Sequence, residues 1–229
     1  MGSTKENSKP EATRIVLVDD HPVVREGLAE NINRESDLTV CAQAEDHREA
    51  LKAIETTKPE LVVVDLMLKG SSGIELIKDI HARWPRLLIL VVSMHDETLY
   101  AERVLRAGAH GYITKQQATR DILLAIRRVL AGGIYLNERT ASSVLARLAS
   151  KSQAVNDSIT DLLADRELQV FELTGRGLST REIGGQLHID VKTVDTYRAR
   201  IREKLNLKTS SELLQLAIRW NKDHGLGMD

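Results

Sequence analysis

The sequence has little cysteine, no long apolar run and almost no net charge. Cys41 is the only cysteine among 229 residues, so no internal disulfide can form, and a reducing compartment, the cytoplasm, is predicted. No apolar run is long enough to span a bilayer, and the N-terminus lacks the apolar core of a secretion signal, so no membrane partner is expected. The formal net charge of -1 indicates no partner for the chain as a whole.

Strand-like and helical segments alternate five times in the first half of the chain. Apolar runs start near residues 14, 38, 61, 87 and 111, and helical periodicity covers residues 23–33, 48–57, 74–83, 98–107 and 117–131. Continuous apolar runs separated by helices are typical of parallel strands that are buried on both faces. This half is therefore predicted to be an α/β domain with a doubly wound, five-stranded parallel sheet.

Polar side chains stand where four of these apolar runs end. Asp19 and Asp20 close the first run, Asp65 the third and Ser93 the fourth, and Lys115 follows the fifth. The carboxyl ends of parallel strands form the ligand crevice of an open sheet, so these groups are expected to converge. Three acids, a hydroxyl and an amine at one edge predict a phosphate and metal site.

Strand signals are absent after residue 159, where helical periodicity predicts an all-α domain of four helices. The helices are expected over residues 165–174, 180–187, 191–205 and 210–220. Ser179 and Glu182 form a capping-box pattern for the second helix, and Asp190 can cap the third. Two helices around a tight turn, with the longer one second and basic, predict a helix-turn-helix.

The predicted domain boundaries follow from changes in this pattern. They are a disordered N-terminal arm over 1–12, an α/β domain over 13–132, a linker over 133–158 with a helix at 138–150, a helix-turn-helix domain over 159–224 and a tail over 225–229.

The third helix of the C-terminal domain has the polarity expected of a DNA-reading helix. One face is apolar and is expected to pack inward, with Val194, Tyr197, Ile201 and Leu205. The other face has a short, mostly uncharged centre with cationic margins, which suits base edges in the middle of the major groove and phosphates along its walls. The predicted DNA contacts are Lys192, Thr193, Asp195, Thr196, Arg198, Ala199, Arg200, Arg202 and Lys204.

Both halves together resemble the two-component response regulators of the NarL/FixJ family, in which a flavodoxin-like receiver precedes a LuxR-type helix-turn-helix. The first half matches at Val18-Asp19-Asp20-His21-Pro22, Arg25, Gly27, Val64-Asp65-Leu66, Gly73, Ser93, Ala107-Gly108-Ala109, Gly111-Tyr112 and Lys115. The second half matches at Arg166-Glu167, Gly177-Leu178-Ser179, Arg181-Glu182-Ile183, Lys192-Thr193-Val194, Ile201 and Lys204-Leu205. The match depends on the order and spacing of these residues together.

The resemblance implies a role for each residue of the strand-end site. Asp65 would accept a phosphoryl group from a sensor histidine kinase, with Lys115 pairing a phosphate oxygen and Ser93 donating a hydroxyl hydrogen bond. Mg²⁺, or Mn²⁺ in its place, would be held by Asp20, Asp65 and the Met67 main-chain carbonyl, and by Asp19 through water. Tyr112 would act as a switch with Ser93, rotating into the space that the loop after the Ser93 strand vacates.

The resemblance also implies partners. Promoter DNA would be bound by a homodimer that forms on activation through Leu213, Leu216, Ala217 and Trp220, and RNA polymerase would be a further partner. The polar, aperiodic stretch over residues 151–158 motivates a further hypothesis, that the unphosphorylated receiver covers or misorients the DNA-binding domain and that phosphorylation releases it. Such a protein is not an enzyme, since the receiver catalyses only its own phosphotransfer and a slow autodephosphorylation.

Four positions depart from the family pattern. Lys69 replaces the usual proline after the phosphoacceptor loop, and Ala164 replaces a threonine, so that Asp165 is expected to cap the next helix. Asp195 and Tyr197 replace the common lysine and histidine. An acid in the reading strip repels phosphates but can accept a hydrogen bond from a cytosine amino group, which predicts a changed base preference.

Two alternative functions remain open on sequence alone. A phosphatase of the haloacid dehalogenase type also uses a strand-end aspartate with Mg²⁺, but it needs a second acid two residues later, where this chain has Met67. A constitutive DNA-binding regulator would keep the receiver fold without phosphorylation. Against it stands the intact set of Asp19, Asp20, Asp65, Ser93 and Lys115.

Overall fold

A computed structural model of the chain describes residues 12–149 and 159–224. The predictions for the N-terminal arm, for the polar stretch over 151–158 and for the tail over 225–229 therefore concern residues outside this description, apart from Ala12. Every helix within the described ranges is too short or too polar to cross a bilayer.

The first half folds as the predicted five-stranded parallel sheet. Its strands are β1 (Thr13–Val18), β2 (Leu38–Ala44), β3 (Leu61–Val64), β6 (Leu88–Ser93) and β7 (Gly111–Thr114). The order across the sheet is β2-β1-β3-β6-β7. The chain passes from β1 to the edge strand β2, crosses back to β3 on the other side of β1, and then continues to the opposite edge at β7. A short hairpin follows β3. Its two strands have two residues each, β4 (Met67–Leu68) and β5 (Ser71–Ser72), and the sequence did not reveal it.

Helices cover both faces of the sheet, within two residues of the predicted bounds. They are α1 (Pro22–Asn33), α2 (His47–Thr57), α3 (Gly73–Arg83), α4 (Glu97–Ala107) and α5 (Lys115–Leu130). Alternate residues of each strand enter different layers, since Ile15 and Leu17 pack with α1 and α5 whereas Val16 and Val18 pack with α2 and α3. Burial on both sides explains why the central strand β3 is apolar at all four positions, whereas the edge strand β2 also contains Thr39 and Gln43.

Part of the predicted linker is attached to the receiver. Tyr135 forms a parallel bridge with Gly111 and its carbonyl accepts the N–H of Tyr112 at 2.8 Å, which extends the sheet edge. The predicted helix follows as α6 (Glu138–Ala149), which packs on α4. The buried Glu97 carboxylate accepts the N–H of Asn137 at 2.8 Å and so ties α4 to this segment. The local sequence pattern did not reveal these contacts, and the predicted linker bounds of 133–158 stay a prediction.

The C-terminal half contains the four predicted helices and one additional turn of helix. They are α7 (Ile159–Leu162), α8 (Asp165–Gly175), α9 (Thr180–Leu187), α10 (Val191–Lys204) and α11 (Ser210–Asp223). The caps of α9 and α10 are confirmed, since Ser179 accepts the N–H of Glu182 at 3.3 Å and Asp190 accepts that of Thr193 at 2.8 Å. The α8 and α11 backbones come so close that a Cβ on Gly175 would lie 2.4 Å from the Ala217 carbonyl oxygen.

One predicted cap is wrong. The N-cap of α8 is Ala164, whose N–H is accepted by Glu167 at 2.8 Å, and Asp165 does not cap the helix. The Asp165 carboxylate instead faces the receiver, where Lys78 and Arg103 donate to it at 3.0 and 2.8 Å. The carboxylate oxygens that could have capped the helix are used in these two charge-assisted hydrogen bonds across the domain boundary.

Candidate phosphoacceptor pocket and DNA-binding surface

The strand-end groups converge as the sequence predicted. Lys115 lies at the start of α5, directly after β7, and its Nζ is 2.8 Å from Asp65 Oδ2 and 2.7 Å from Asp19 Oδ2. Asp65 is 1% exposed and Asp19 4% exposed, so these charges meet largely out of contact with water. Parallel pairing of β1, β3, β6 and β7 brings all these strand ends to one edge.

The backbone around Asp65 is closely packed. Gly73, the first residue of α3, donates its N–H to the Leu66 carbonyl at 2.9 Å. A Cβ at this position would lie 2.1 Å from the Asp65 carbonyl oxygen, so only glycine lets α3 start against the Asp65 backbone.

Burial dominates the electrostatics of the pocket. It raises the pKa of the Asp65 carboxyl to about 6, the neighbouring Asp19 charge acts in the same direction, and Lys115 opposes both. Burial by itself would lower the pKa of Lys115, but the two carboxylates outweigh it and hold that pKa above its ordinary value. Lys115 therefore stays cationic at neutral pH. Asp65 is ionised there at a cost in free energy, because its carboxylate is buried.

The donor set suits a hard divalent cation. Asp19, Asp20, His21 and Asp65 each have one ligand atom within 4.8 Å of the others. Asp65 Oδ1 is buried and has no hydrogen-bond partner among the described residues, although Oδ2 is paired with Lys115. A buried carboxylate oxygen without a partner is costly unless a cation or water completes it, and oxygen ligands are those that Mg²⁺ prefers. The residues therefore fit the metal.

Ser93 and Tyr112 are both fully buried. The His95 N–H is accepted by Ser93 Oγ at 3.3 Å, and the Tyr112 hydroxyl donates to the His95 carbonyl at 2.9 Å. The two predicted switch residues thus meet at the backbone of His95. Tyr112 is already turned inward, so an inward rotation of its ring is not available from this arrangement.

The two domains contact each other beside this pocket. The fully buried Glu172 carboxylate of α8 is 3.1 Å from His95 Nδ1 and accepts the Tyr100 hydroxyl at 3.0 Å. Arg103 of α4 donates to Asp165, to the Thr160 carbonyl at 2.6 Å and to the Leu163 carbonyl. Burial alone would raise the pKa of Glu172, but its partners, led by His95, hold the pKa below the usual range. Sequence reasoning missed these residues, since pairs that join two domains leave no local pattern.

The helix-turn-helix domain also covers the mouth of the pocket. A cavity of about 270 Å³ is lined by receiver residues and by four from the other domain, which are Arg176, Gly185, Gln186 and His188. His188 Nε2 lies 3.0 Å from Asp20 Oδ2. The turn between α9 and α10 therefore rests on the predicted metal ligands.

The faces of α10 follow the predicted wheel. Val194 and Ile201 are fully buried, and Tyr197 and Leu205 are partly buried against the same core. Lys192, Asp195, Thr196, Ala199 and Arg200 are exposed, whereas Thr193 and Arg202 are partly buried. Two predicted DNA contacts are engaged within the domain, since Arg198 donates to Thr180 Oγ1 at 2.7 Å and Lys204 Nζ is 2.6 Å from Glu167 Oε2. These two cations link helices within the domain, and their predicted contacts with DNA stay a prediction.

The predicted dimer face of α11 needs correction. Leu213, Ala217 and Trp220 are at most 7% exposed within their own domain, and Leu216 is partly buried. Trp220 packs edge-on against Phe171 with ring centroids 5.5 Å apart. The domain core uses this apolar stripe, and the exposed apolar residues of α11 are Leu214 and Ile218.

Comparison with known proteins agrees with this architecture. Residues 15–127 match the response regulator receiver domain, and residues 161–217 match the bacterial regulatory proteins of the luxR family. The oxygen regulatory protein NreC of Staphylococcus aureus is 36% identical over 210 residues, which are 90% of this chain and 97% of that protein.

Solved structures show the same fold. A LuxR-family two-component response regulator from Aurantimonas sp. SI85-9A1 is 36% identical with a TM-score of 0.56, over 60% of this chain and 99% of that one. The RcsB response regulator of Salmonella typhimurium is 23% identical with a TM-score of 0.63, over 91% of this chain and 98% of that one. With a receiver, a luxR-type domain and a relative that matches along almost its whole length, the chain belongs to the NarL/FixJ family of two-component response regulators, which act as transcription regulators.

Proposed function

We propose that Asp65 is the phosphoacceptor of this regulator, and that a sensor histidine kinase in the cytoplasm supplies the phosphoryl group. The observation that supports this most directly is that Lys115 lies within 2.8 Å of both Asp65 and Asp19, in one buried pocket. A carboxylate with one free oxygen and a cation at the other is arranged to attack a phosphoryl group.

Each group has a defined task in this proposal. An Asp65 carboxylate oxygen attacks phosphorus while the P–N bond to the kinase histidine breaks and the imidazole leaves with the kinase, and Lys115 balances the negative charge that the transferred oxygens bring. Asp20, Asp65 and the Met67 carbonyl, with Asp19 through water, would hold Mg²⁺ or Mn²⁺, and the bound cation would supply the charge that reduces repulsion between the anions. Beyond this self-phosphorylation and its slow reversal by water, no catalytic turnover is proposed.

Incubation with acetyl phosphate and Mg²⁺, followed by intact-mass spectrometry, tests the phosphoacceptor. We expect a single phosphoryl adduct in the unmodified chain and none in Asp65→Asn, because an amide oxygen is not a competent nucleophile toward phosphorus. Asp37→Asn, at an exposed acid on the receiver surface, is the matched control and should keep the adduct. Sustained turnover of phosphoesters would favour the phosphatase, and absence of any adduct would favour the constitutive DNA binder.

We further propose that the arrangement described here is the inactive form. His188 lies two residues before the cap of α10, so a duplex that contacts the start of α10 would meet the receiver edge with its acids. Ser93, which would turn toward the phosphoryl group, is linked through the His95 backbone to the His95–Glu172 contact. Phosphorylation would thus pull on the segment that holds the DNA-binding domain, and the released domains would dimerise and bind promoter DNA.

The dimer contact on DNA is proposed at the exposed side of α11. Leu214 and Ile218 are each 40% exposed, one turn apart on the same helix face. A two-fold pair would place two copies of α10 about one helical turn apart on the duplex, with RNA polymerase as the partner of the assembled complex.

Asp195→Lys should change the base preference of the protein without abolishing DNA binding. Asp195 is exposed in the reading strip, so the substitution removes a repulsive charge and adds a phosphate contact. We expect a higher non-specific affinity and a different consensus in a random-duplex selection. The slope of log affinity against log salt concentration should become steeper by about one. Glu203→Gln, an exposed acid at the far end of α10, is the control. An unchanged consensus for Asp195→Lys would show that this residue does not read bases.

A further inference from the structure

The Asp20 carboxylate faces two histidines from different domains. His21 Nδ1 lies 2.7 Å from Oδ1, and His188 Nε2 lies 3.0 Å from Oδ2. Neither contact has the angles of a hydrogen bond, although the Asp20 side chain is only 5% exposed. Both oxygens of a proposed metal ligand are therefore occupied by groups that hold them weakly.

We infer that His188 of the DNA-binding domain competes with the divalent cation for Asp20, so that Mg²⁺ binding loosens the contact between the domains before any phosphoryl transfer. The inference rests on the metal site of the proposed function. An imidazole nitrogen within 3.0 Å of each Asp20 oxygen takes space and lone pairs that a coordinated cation would need, so the cation and the imidazole compete for this carboxylate. By linkage, a contact that blocks the cation must be weakened by it to the same degree.

The two histidines differ in what their displacement moves. His21 belongs to the receiver, and its side chain is 60% exposed, so its rotation into solvent leaves the domains in place. His188 ends α9 in the left-handed conformation, with φ of +52°, and its N–H is bonded to the Gly184 and Gly185 carbonyls. The contact joins the two domains, so withdrawing the imidazole from Asp20 removes one of the interactions that hold the helix-turn-helix domain on the receiver.

Mg²⁺ titration of the full chain by calorimetry tests this competition. His188→Asn is the informative variant, because asparagine tolerates the left-handed backbone and is too short to reach Asp20. We expect it to bind Mg²⁺ roughly two- to fivefold more tightly, the factor that a half-exposed ion pair supplies. Gln186→Ala, which removes a neighbouring side chain lining the same cavity, should bind as the unmodified chain does. Asp20→Asn should lose most of the affinity.

The domain arrangement gives a readout that does not depend on affinity. Small-angle X-ray scattering should show a larger radius of gyration when Mg²⁺ is added to the unmodified chain, and no such change in Asp20→Asn. Equal Mg²⁺ affinity of His188→Asn and the unmodified chain would overturn the inference and leave the proposed phosphoacceptor intact. Weaker binding by His188→Asn would also overturn it, since His188 would then be a ligand. Absence of Mg²⁺ binding in every variant would remove the metal site itself, and with it part of the proposed function.

Discussion

Arg103→Ala is expected to raise the DNA affinity of the unphosphorylated protein by roughly tenfold. The Arg103 side chain is 18% exposed and donates across the domain boundary to Asp165, to the Thr160 carbonyl and to the Leu163 carbonyl. Loss of a charge-assisted, largely buried contact costs about 1–2 kcal/mol, which moves the equilibrium between the closed and released domains by about that factor. The affinity gain follows because only released molecules can bind.

The measurement is fluorescence anisotropy with a duplex selected by the phosphorylated full-length protein. The substitution lies on the receiver, so the DNA-reading surface of α10 is unchanged. Arg106→Ala is the matched control, because Arg106 is one turn from Arg103 on the same helix face, is 71% exposed and pairs with Glu102 within α4. Equal affinities of Arg103→Ala and Arg106→Ala for the duplex would show that the closed arrangement does not limit DNA binding.

The strand-end pocket was predictable from the sequence because a parallel sheet leaves little freedom. Apolar runs fix the strands, and the strand ends fix where Asp19, Asp65, Ser93 and Lys115 must lie relative to each other. Capping residues likewise fixed the start of α9 and α10 to within a residue. Helix caps depend on residues that are close in the sequence, and strand ends depend on the regular hydrogen bonding of the sheet. Both leave a recognisable pattern in the sequence.

The contacts between the domains were not predictable in this way. The sequence around Glu172 predicts only a residue of an amphipathic helix. In the structure Glu172 is fully buried and contacts His95 and Tyr100 of the other domain. The helix wheel of α11 showed an apolar stripe but not whether the core or a second chain covers it, and the prediction assigned it to a second chain. The competing requirement was the core of a small domain, which needs Trp220 and Ala217 against α8.

The placement of Tyr112 also changes the expected route of the switch. A ring that is already buried with its hydroxyl on the His95 carbonyl cannot transmit the signal by turning inward. What remains free to change is the position of His95 itself, which is bonded to Ser93 on one side and faces Glu172 on the other. The signal would therefore pass through the backbone after β6 rather than through the aromatic ring.

Asp65→Asn should stabilise the metal-free receiver at neutral pH, although it abolishes phosphorylation. Burial raises the pKa of this carboxyl from 3.8 to about 6 in the folded state, so ionised Asp65 destabilises the fold. The penalty is complete above pH 6, falls as the pH drops from 6 toward 4, and vanishes when Asp65 is protonated in both states. An amide carries no such penalty, so the gain at pH 7 should be on the order of 2–3 kcal/mol.

Urea unfolding in EDTA, together with hydrogen exchange of the β3 amides at Leu61–Val64, measures this gain in the receiver. The advantage of Asp65→Asn should shrink steadily between pH 7 and pH 4, which separates an electrostatic cause from better packing. Asp37→Asn, at an exposed acid that pairs with Arg127 on the surface, should change the stability by less than about 1 kcal/mol over the same range. Adding Mg²⁺ should narrow the difference at pH 7, because only the aspartate gains a cation there. A destabilised Asp65→Asn at pH 7 would mean that the pairing with Lys115 outweighs the cost of burying this charge.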